Sequence, residues 1–245
     1  VWNELSLKLR GNVRSSFILR AGSIPELSMT VYSHSRIESF KNCPLQYKYH
    51  YIEKRKPEFP DTVEAFMGSR VHETLEKLYR DLTYKKLDSL EELLDYYNEI
   101  WRREWKEGIL INRKEYTPEN YRLTGEDAIR KYYARHHPFE TVTIGLEMRL
   151  TLTLESGHTV QGYIDRLDQN EEGIYEIHDY KTGSHLPTQE EIDNDRQLAL
   201  YSLMVRDSFR DCRNVRLIWH YLIFDKDLES RRTEEELKEL KRYIH

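Results

Sequence analysis

Two segments constrain this chain more than any other stretch: QGYIDRLD and YEIHDYKTG, joined by the polar, glycine-ended DQNEEG. Each reads as a short strand, and the linker reads as a hairpin loop. Side chains alternate across a pleat, so Tyr163, Asp165 and Leu167 are expected on one face of the first strand, and Ile164, Arg166 and Asp168 on the other. In the second strand Ile177, Asp179 and Lys181 share a face. The hairpin thereby brings two carboxylates and one ammonium together at one end of a sheet. Two readings follow from it alone. Paired carboxylates on neighbouring strands make a hard-oxygen site for Mg²⁺ or Mn²⁺, with a lysine placed to orient water or offset charge on a phosphate. Equally, Asp165 and Lys181 form a cross-strand ion pair and Asp179 ends a strand before the Thr182-Gly183 turn.

Other segments bear on the choice. GSRVHETLEKLY, beginning at Gly68, stands before the hairpin, and RQLALY, beginning at Arg196, stands after it. Together with GYIDRLD and DYKTG, these resemble, in order, the RecB-like branch of the PD-(D/E)XK nuclease superfamily, which includes nuclease domains of helicase-nuclease complexes and CRISPR adaptation nucleases. The resemblance covers roughly residues 32 to 224. Ile164 stands where the superfamily's name has proline.

The resemblance implies an α/β, restriction-endonuclease-like fold: a mixed central sheet flanked by helices. It implies a metal-dependent (exo)deoxyribonuclease of DNA repair or recombination. Asp165 and Asp179 would bind Mg²⁺ or Mn²⁺, joined by His72 and the backbone carbonyl of Tyr180, and Lys181 would serve the attacking water. Gln197 and Tyr201, four apart on a helix, would support the lysine or touch DNA. Without the family, His72 beside the Val71 and Leu75 stripe reads as a core histidine. Glu147 is a further candidate ligand, and an exposed strand glutamate explains it almost as well. Partners implied are single-stranded DNA or duplex ends, and a helicase or other repair proteins. The alternative is a non-cleaving DNA-binding or scaffold subunit of such a complex, or an enzyme acting on RNA.

Composition limits what else the chain can be. Its 245 residues allow one large core with a helical insertion, and 38% hydrophobic with 12% aromatic content suits a globular protein. No apolar run has membrane-spanning length, and the expectation is a cytoplasmic protein. A net charge of -5 argues against indiscriminate coating of DNA, so binding would rely on local basic surface and metal. Cys43 and Cys212 are too few for a disulfide framework or a self-contained zinc site. Some members of the family clamp an iron–sulfur cluster with one cysteine in a Cys-Pro context and three near the C-terminus. Cys43-Pro44 matches the first and the other three have no counterpart, so a buried thiol beside a turn is the expectation for Cys43.

Along the chain, residues 1–28 read as an extension or tail, and 29–245 as the nuclease domain. A helix is expected over 33–51, capped by Ser33 or Ser35, its tyrosines packing in the core and its lysines holding a nucleic-acid backbone. A second helix is expected over 65–82, with a stripe of Val71, Leu75, Leu78 and Leu82, and with Gly68 admitting another backbone. Residues 83–138 read as a helical insertion walling a nucleic-acid channel. A strand follows over 141–155. After the hairpin come one helix opened by a Thr188/Glu191 capping box, a strand over 215–224, and a charged helix from Leu228.

Overall fold

The computed structural model describes residues 31–244 apart from positions 58 and 60; the expected tail at 1–28 lies outside them. The elements are β1 (Val31–Ser33), α1 (His34–Asn42), α2 (Pro44–Tyr47), a π turn at Lys48–Ile52, α3 (Val63–Thr83), α4 (Leu90–Glu104), α5 (Pro118–His136), β2 (Val142–Thr153), β3 (Thr159–Gln169), β4 (Tyr175–Lys181), α6 (Gln189–Asp193), α7 (Arg196–Ser208), β5 (Val215–Tyr221), a 3₁₀ turn at Leu222–Phe224, β6 (Lys226–Ser230) and α8 (Glu234–Ile244).

The six strands form one mixed sheet. The central strand β3 runs antiparallel to β2 along its whole length. On its other edge, β1 takes Thr159–Gln161 in parallel and β4 takes Arg166–Gln169 antiparallel, leaving Gly162 to Asp165 between them. Beyond β4 lie β5, parallel, and β6, antiparallel. Two apolar cores flank the sheet. One gathers β-strand residues such as Leu167, Ile177 and Leu217 against α7 and Leu237 of α8. The other is built by α3, α4 and α5 around Tyr180 and Leu222.

Local chemistry explains the helices of that second core. Thr62 caps α3 by accepting the Ala65 N–H, and Val63, Phe66, Met67, Val71, Leu75 and Leu78 bury one continuous stripe. Each such side chain contributes about 1.5–3 kcal/mol of burial. Ser89 and Glu92 close a reciprocal capping box on α4, and Pro118 opens α5 where no N–H is missed.

Several expectations are corrected. The segment 33–51 is not one helix, because Pro44 has no N–H to continue the first, and Cys43 restarts the chain by accepting the Gln46 N–H through its thiol. Cys43 is half-buried rather than buried. No residue from His34 to Ile52 is buried. The tyrosines gather around a cation instead of a core: the Arg36 guanidinium lies 5.1, 5.6 and 5.2 Å from the rings of Tyr32, Tyr47 and Tyr51.

The single helix expected after the hairpin is two. The capping box opens α6, the chain breaks at Asn194, and Asp195 caps α7 through the Leu198 N–H. Arg232 stabilises the break by donating to the carbonyls of both Ile192 and Asp195 at 2.9 Å. The strand over 215–224 stops at Tyr221, and a left-handed Asp225 turns it into β6. The charged helix expected from Leu228 begins at Glu234; Leu228, Glu229 and Ser230 belong to β6, an edge strand whose charged residues discourage further pairing.

The simple alternation expected for β3 also fails. Ile164 and Leu167, three apart, share the α7-side core, whereas Arg166 turns to Tyr132 and Tyr180 on the other side. In β2, Leu146 packs on the helical core and Met148, two residues on, on the α7-side core. The two-stranded ribbon therefore turns over at Glu147 and Asp165. Glu147 carries the turn with φ of 44°, a left-handed conformation that costs a non-glycine residue about 1–3 kcal/mol.

Candidate active site

Asp165 stands one rung beyond the last paired residues of β3 and β4, Arg166 and His178, where the strands part. Its Oδ2 accepts the backbone N–H of Tyr180 at 2.8 Å, replacing the ladder bond that the parting removes. Asp179 is on the adjacent strand, 5% exposed, and Lys181 follows it on the same face. Lys181 Nζ lies 2.5 Å from Asp179 Oδ2. That oxygen is buried without a well-aligned hydrogen-bond donor.

His72 reaches this point from α3. Its Nε2–H donates to the Tyr180 carbonyl at 2.8 Å, so in the neutral ring Nδ1 is a lone pair, 3.5 Å from Asp165 Oδ2. Gly68, one turn earlier, makes the approach possible: a Cβ there would stand 2.7 Å from Thr182 Oγ1 in the turn after β4. Glu147 comes from β2, and its carboxylate, that of Asp165 and the His72 imidazole bring ligand atoms within 4.8 Å of one another. From α7, Gln197 Oε1 accepts from Lys181 Nζ at 3.5 Å, and Gln197 Nε2 donates to Tyr201 Oη at 3.2 Å. Tyr201 is buried against Gly162, where a Cβ would meet its ring at 2.2 Å.

Electrostatics follow from this crowding. Burial pushes Asp179 up to about 6, and Asp165 nearby pushes the same way. Burial likewise raises Asp165 and Glu147. Burial alone would lower Lys181; the adjacent Asp179 outweighs it and holds the ammonium above its ordinary value. Three carboxylates are thus held close together against desolvation and mutual repulsion, with one ammonium among them. An inward-facing imidazole lone pair beside Asp165, and a buried oxygen of Asp179 with no aligned donor, complete a donor set that fits a hard divalent cation.

All eight residues singled out in the sequence (His72, Glu147, Asp165, Asp179, Tyr180, Lys181, Gln197 and Tyr201) therefore lie in one connected cluster at the parting of β3 and β4. Reasoning from sequence missed His34, which is near enough to Asp195 and Lys181 to feel their charges and whose burial lowers its basicity. Nor did it find the cleft beside the Thr182–Ser184 turn, lined by Arg113, Tyr116 and Asn120. No signal in the residues points to either, since both depend on long-range packing.

Comparison with known proteins bears on the fold and the family. A search of curated proteins gave no match. Among solved structures, a protein from Eubacterium rectale provisionally named as an exonuclease superposes with a TM-score of 0.50 at 14% identity, over 92% of this chain and 83% of its own. A second, SSO0001, aligns at 13% identity over 84% of this chain and 86% of its own, with a TM-score of 0.30 that is too low to bear on the fold. The profile of the PD-(D/E)XK nuclease superfamily matches residues 31–245. The six-stranded mixed sheet with helices on both faces is the restriction-endonuclease-like fold expected of such proteins. By that match over nearly its whole length, the chain belongs to the PD-(D/E)XK nuclease superfamily.

Proposed function

We propose that this chain is a divalent-metal-dependent deoxyribonuclease of the RecB-like branch, an exonuclease of DNA repair or recombination. The observation that carries the reading is the Lys181–Asp179 contact at 2.5 Å beside Asp165, His72 and the Tyr180 carbonyl. Asp165, Asp179, His72 and the Tyr180 oxygen would hold Mg²⁺ or Mn²⁺, with Glu147 adjoining. When bound, the ion supplies positive charge to the scissile phosphate and a more acidic water.

The protein's own groups do the rest. Asp179 keeps Lys181 charged, so its ammonium acts as a donor that orients the attacking water and offsets charge growing on the phosphate. Gln197, held by Tyr201, limits where that ammonium can point. Tyr201 is too buried to meet DNA, so its part is to support Gln197. The α5 side supplies Arg113 and Tyr116 in the cleft beside Thr182, a cation with an aromatic ring, which suits a nucleic-acid strand leaving the site.

The test is cleavage of end-labelled linear and circular DNA, single- and double-stranded, with Mg²⁺, Mn²⁺ or EDTA, for the wild type beside Lys181→Ala. The expected result is metal-dependent loss of linear substrate only, absent in the variant. Intact substrate with wild-type protein that still binds metal would replace the reading with that of a non-cleaving subunit. Cleavage of circles would make it an endonuclease.

A further inference from the structure

On the α5 side of the sheet, away from the face of β4 that bears Asp179 and Lys181, three side chains from separate elements converge. His136 ends α5, His220 lies in β5 and Asp227 lies in β6. His220 Nδ1 is 2.8 Å from Asp227 Oδ1, and His136 Nε2 is 3.2 Å from Asp227 Oδ2. All three ligand atoms fall within 4.8 Å of one another.

His220 and His178 belong to a buried chain of contacts whose hydrogens do not add up. His178 Nε2 lies 3.3 Å from Asp168 Oδ2, His178 Nδ1 lies 2.9 Å from His220 Nε2, and His220 Nδ1 faces Asp227. Each contact joins two atoms that are acceptors unless a hydrogen sits between them, so three hydrogens are needed. Two neutral imidazoles carry only two. Whichever tautomers are drawn, one contact sets a lone pair against a carboxylate. Adding a proton would place a second buried cation beside Arg166, which already contacts Asp168 at 3.1 Å. Asp168 Oδ2 also accepts from Thr141 Oγ1 and lies beside Arg166, and His178 Nε2 has no aligned hydrogen bond to it; at Asp227 the neighbour is a third ring nitrogen, His136 Nε2, likewise buried without a hydrogen-bond partner.

We propose that His136, His220 and Asp227 bind one divalent transition metal, of which zinc best suits two imidazoles and a carboxylate. The ion takes the place of the missing hydrogen. With His220 Nδ1 on the metal, its Nε2–H donates to His178 and the His178 Nε2–H donates to Asp168, so every hydrogen is placed and the ligand ring is oriented from behind by a His–Asp relay. Tetrahedral zinc sets neighbouring ligand atoms about 3.3 Å apart, close to the two nitrogen–oxygen separations of 2.8 and 3.2 Å found here. Side chains of His136 and Asp227 are 23% and 26% exposed, giving the ion a way in. Arg135 opposes binding: its guanidinium lies 3.8 Å from Asp227 Oδ1, though Asp225 holds it at 2.7 Å. The site would fasten the end of α5 to the β5–β6 hairpin, independently of catalysis.

The test uses the full chain carrying Asp165→Asn and Asp179→Asn, so that the candidate active site does not compete. Zn²⁺ alone is titrated against a chromophoric chelator, and Co²⁺ is added for its visible absorption. One equivalent of Zn²⁺ is expected, with a raised Tm and a tetrahedral Co²⁺ spectrum. His136→Ala, at the edge of the cluster, and Asp227→Asn should each weaken binding by at least about tenfold, and Arg135→Gln should strengthen it. A natively folded double variant that binds no stoichiometric Zn²⁺ overturns the proposal. So does binding that His136→Ala and Asp227→Asn both leave unchanged.

Discussion

Glu147 and Asp165 face each other across β2 and β3 at the point where the two-stranded ribbon turns over and the alternation of both strands shifts. Glu147 is held there at φ 44°, a strained conformation beside a candidate metal site. Replacing it by glycine should relieve the backbone and raise Tm, while Glu147→Gln keeps the strain and removes the charge. Both should weaken Mn²⁺ binding if the carboxylate helps hold the ion. Calorimetric titration of Mn²⁺ beside thermal melts checks this, and a Gly variant with unchanged Mn²⁺ affinity would leave the strain without that function.

Lys181→Ala and Asp179→Asn should each lower the cleavage rate by at least about a hundredfold. Their stabilities should differ. Lys181→Ala leaves Asp179 buried without its ammonium and should lower Tm, and adding Asp179→Asn should restore much of the loss. Melting curves of wild type, the two single variants and the double variant give the answer; single effects that simply add in the double variant would show that the pair carries no energetic coupling.

Gly68 fixes the distance between α3 and the turn after β4. Gly68→Ala should displace Thr182, move His72 off the Tyr180 carbonyl, and cut activity more than stability. Thr182→Ala in the same chain removes the atom the new methyl would strike, and should return much of the activity. Steady-state rates for the single and double variants test this, and a Gly68→Ala protein as active as wild type would show the close approach is dispensable.

Asp168 offers a test of the buried network by pH. It is 1% exposed, and Arg166 together with His178 and Thr141 outweighs its burial and holds its carboxyl below the ordinary range. A depressed folded-state value gives stability that is fully present above the unfolded carboxyl's pKa, about 3.9, and lost as pH falls below it. Asp168→Asn should therefore cost about 3–5 kcal/mol near pH 7, because Arg166 keeps its charge in a buried site. The gap to wild type should be constant down to about pH 5 and narrow below about 4. Urea denaturation across that range measures it, and a gap that widens on acidification would refute the assignment.

Much of the architecture was legible because it follows from local rules. The stripe of α3, the Thr188 cap and the two hairpin strands are all short-range patterns, and spacing put the acid and lysine of DYKTG on one face, their role coming from the family resemblance. The failures share a cause. β1 is three residues long and exists only because β3 has a free edge, and KDLES becomes a strand because β5 needs a partner. The chain breaks at Asn194 in a helix that its own residues would continue, because Arg232, forty positions after Ile192, arrives to donate to the Ile192 carbonyl. The turnover at Asp165 depends on three strands at once, so no two-residue period could show it.

The donors that meet at this turnover answer to different interiors. His72 is carried by the helical core, Gln197 by the α7-side core, and Asp179 with Lys181 by the strand between them. The site thus works as a gauge of alignment between two separately packed halves. A methylene lost deep in either half, far from any reacting atom, would register as an offset between His72 and Asp165 before it registered as unfolding.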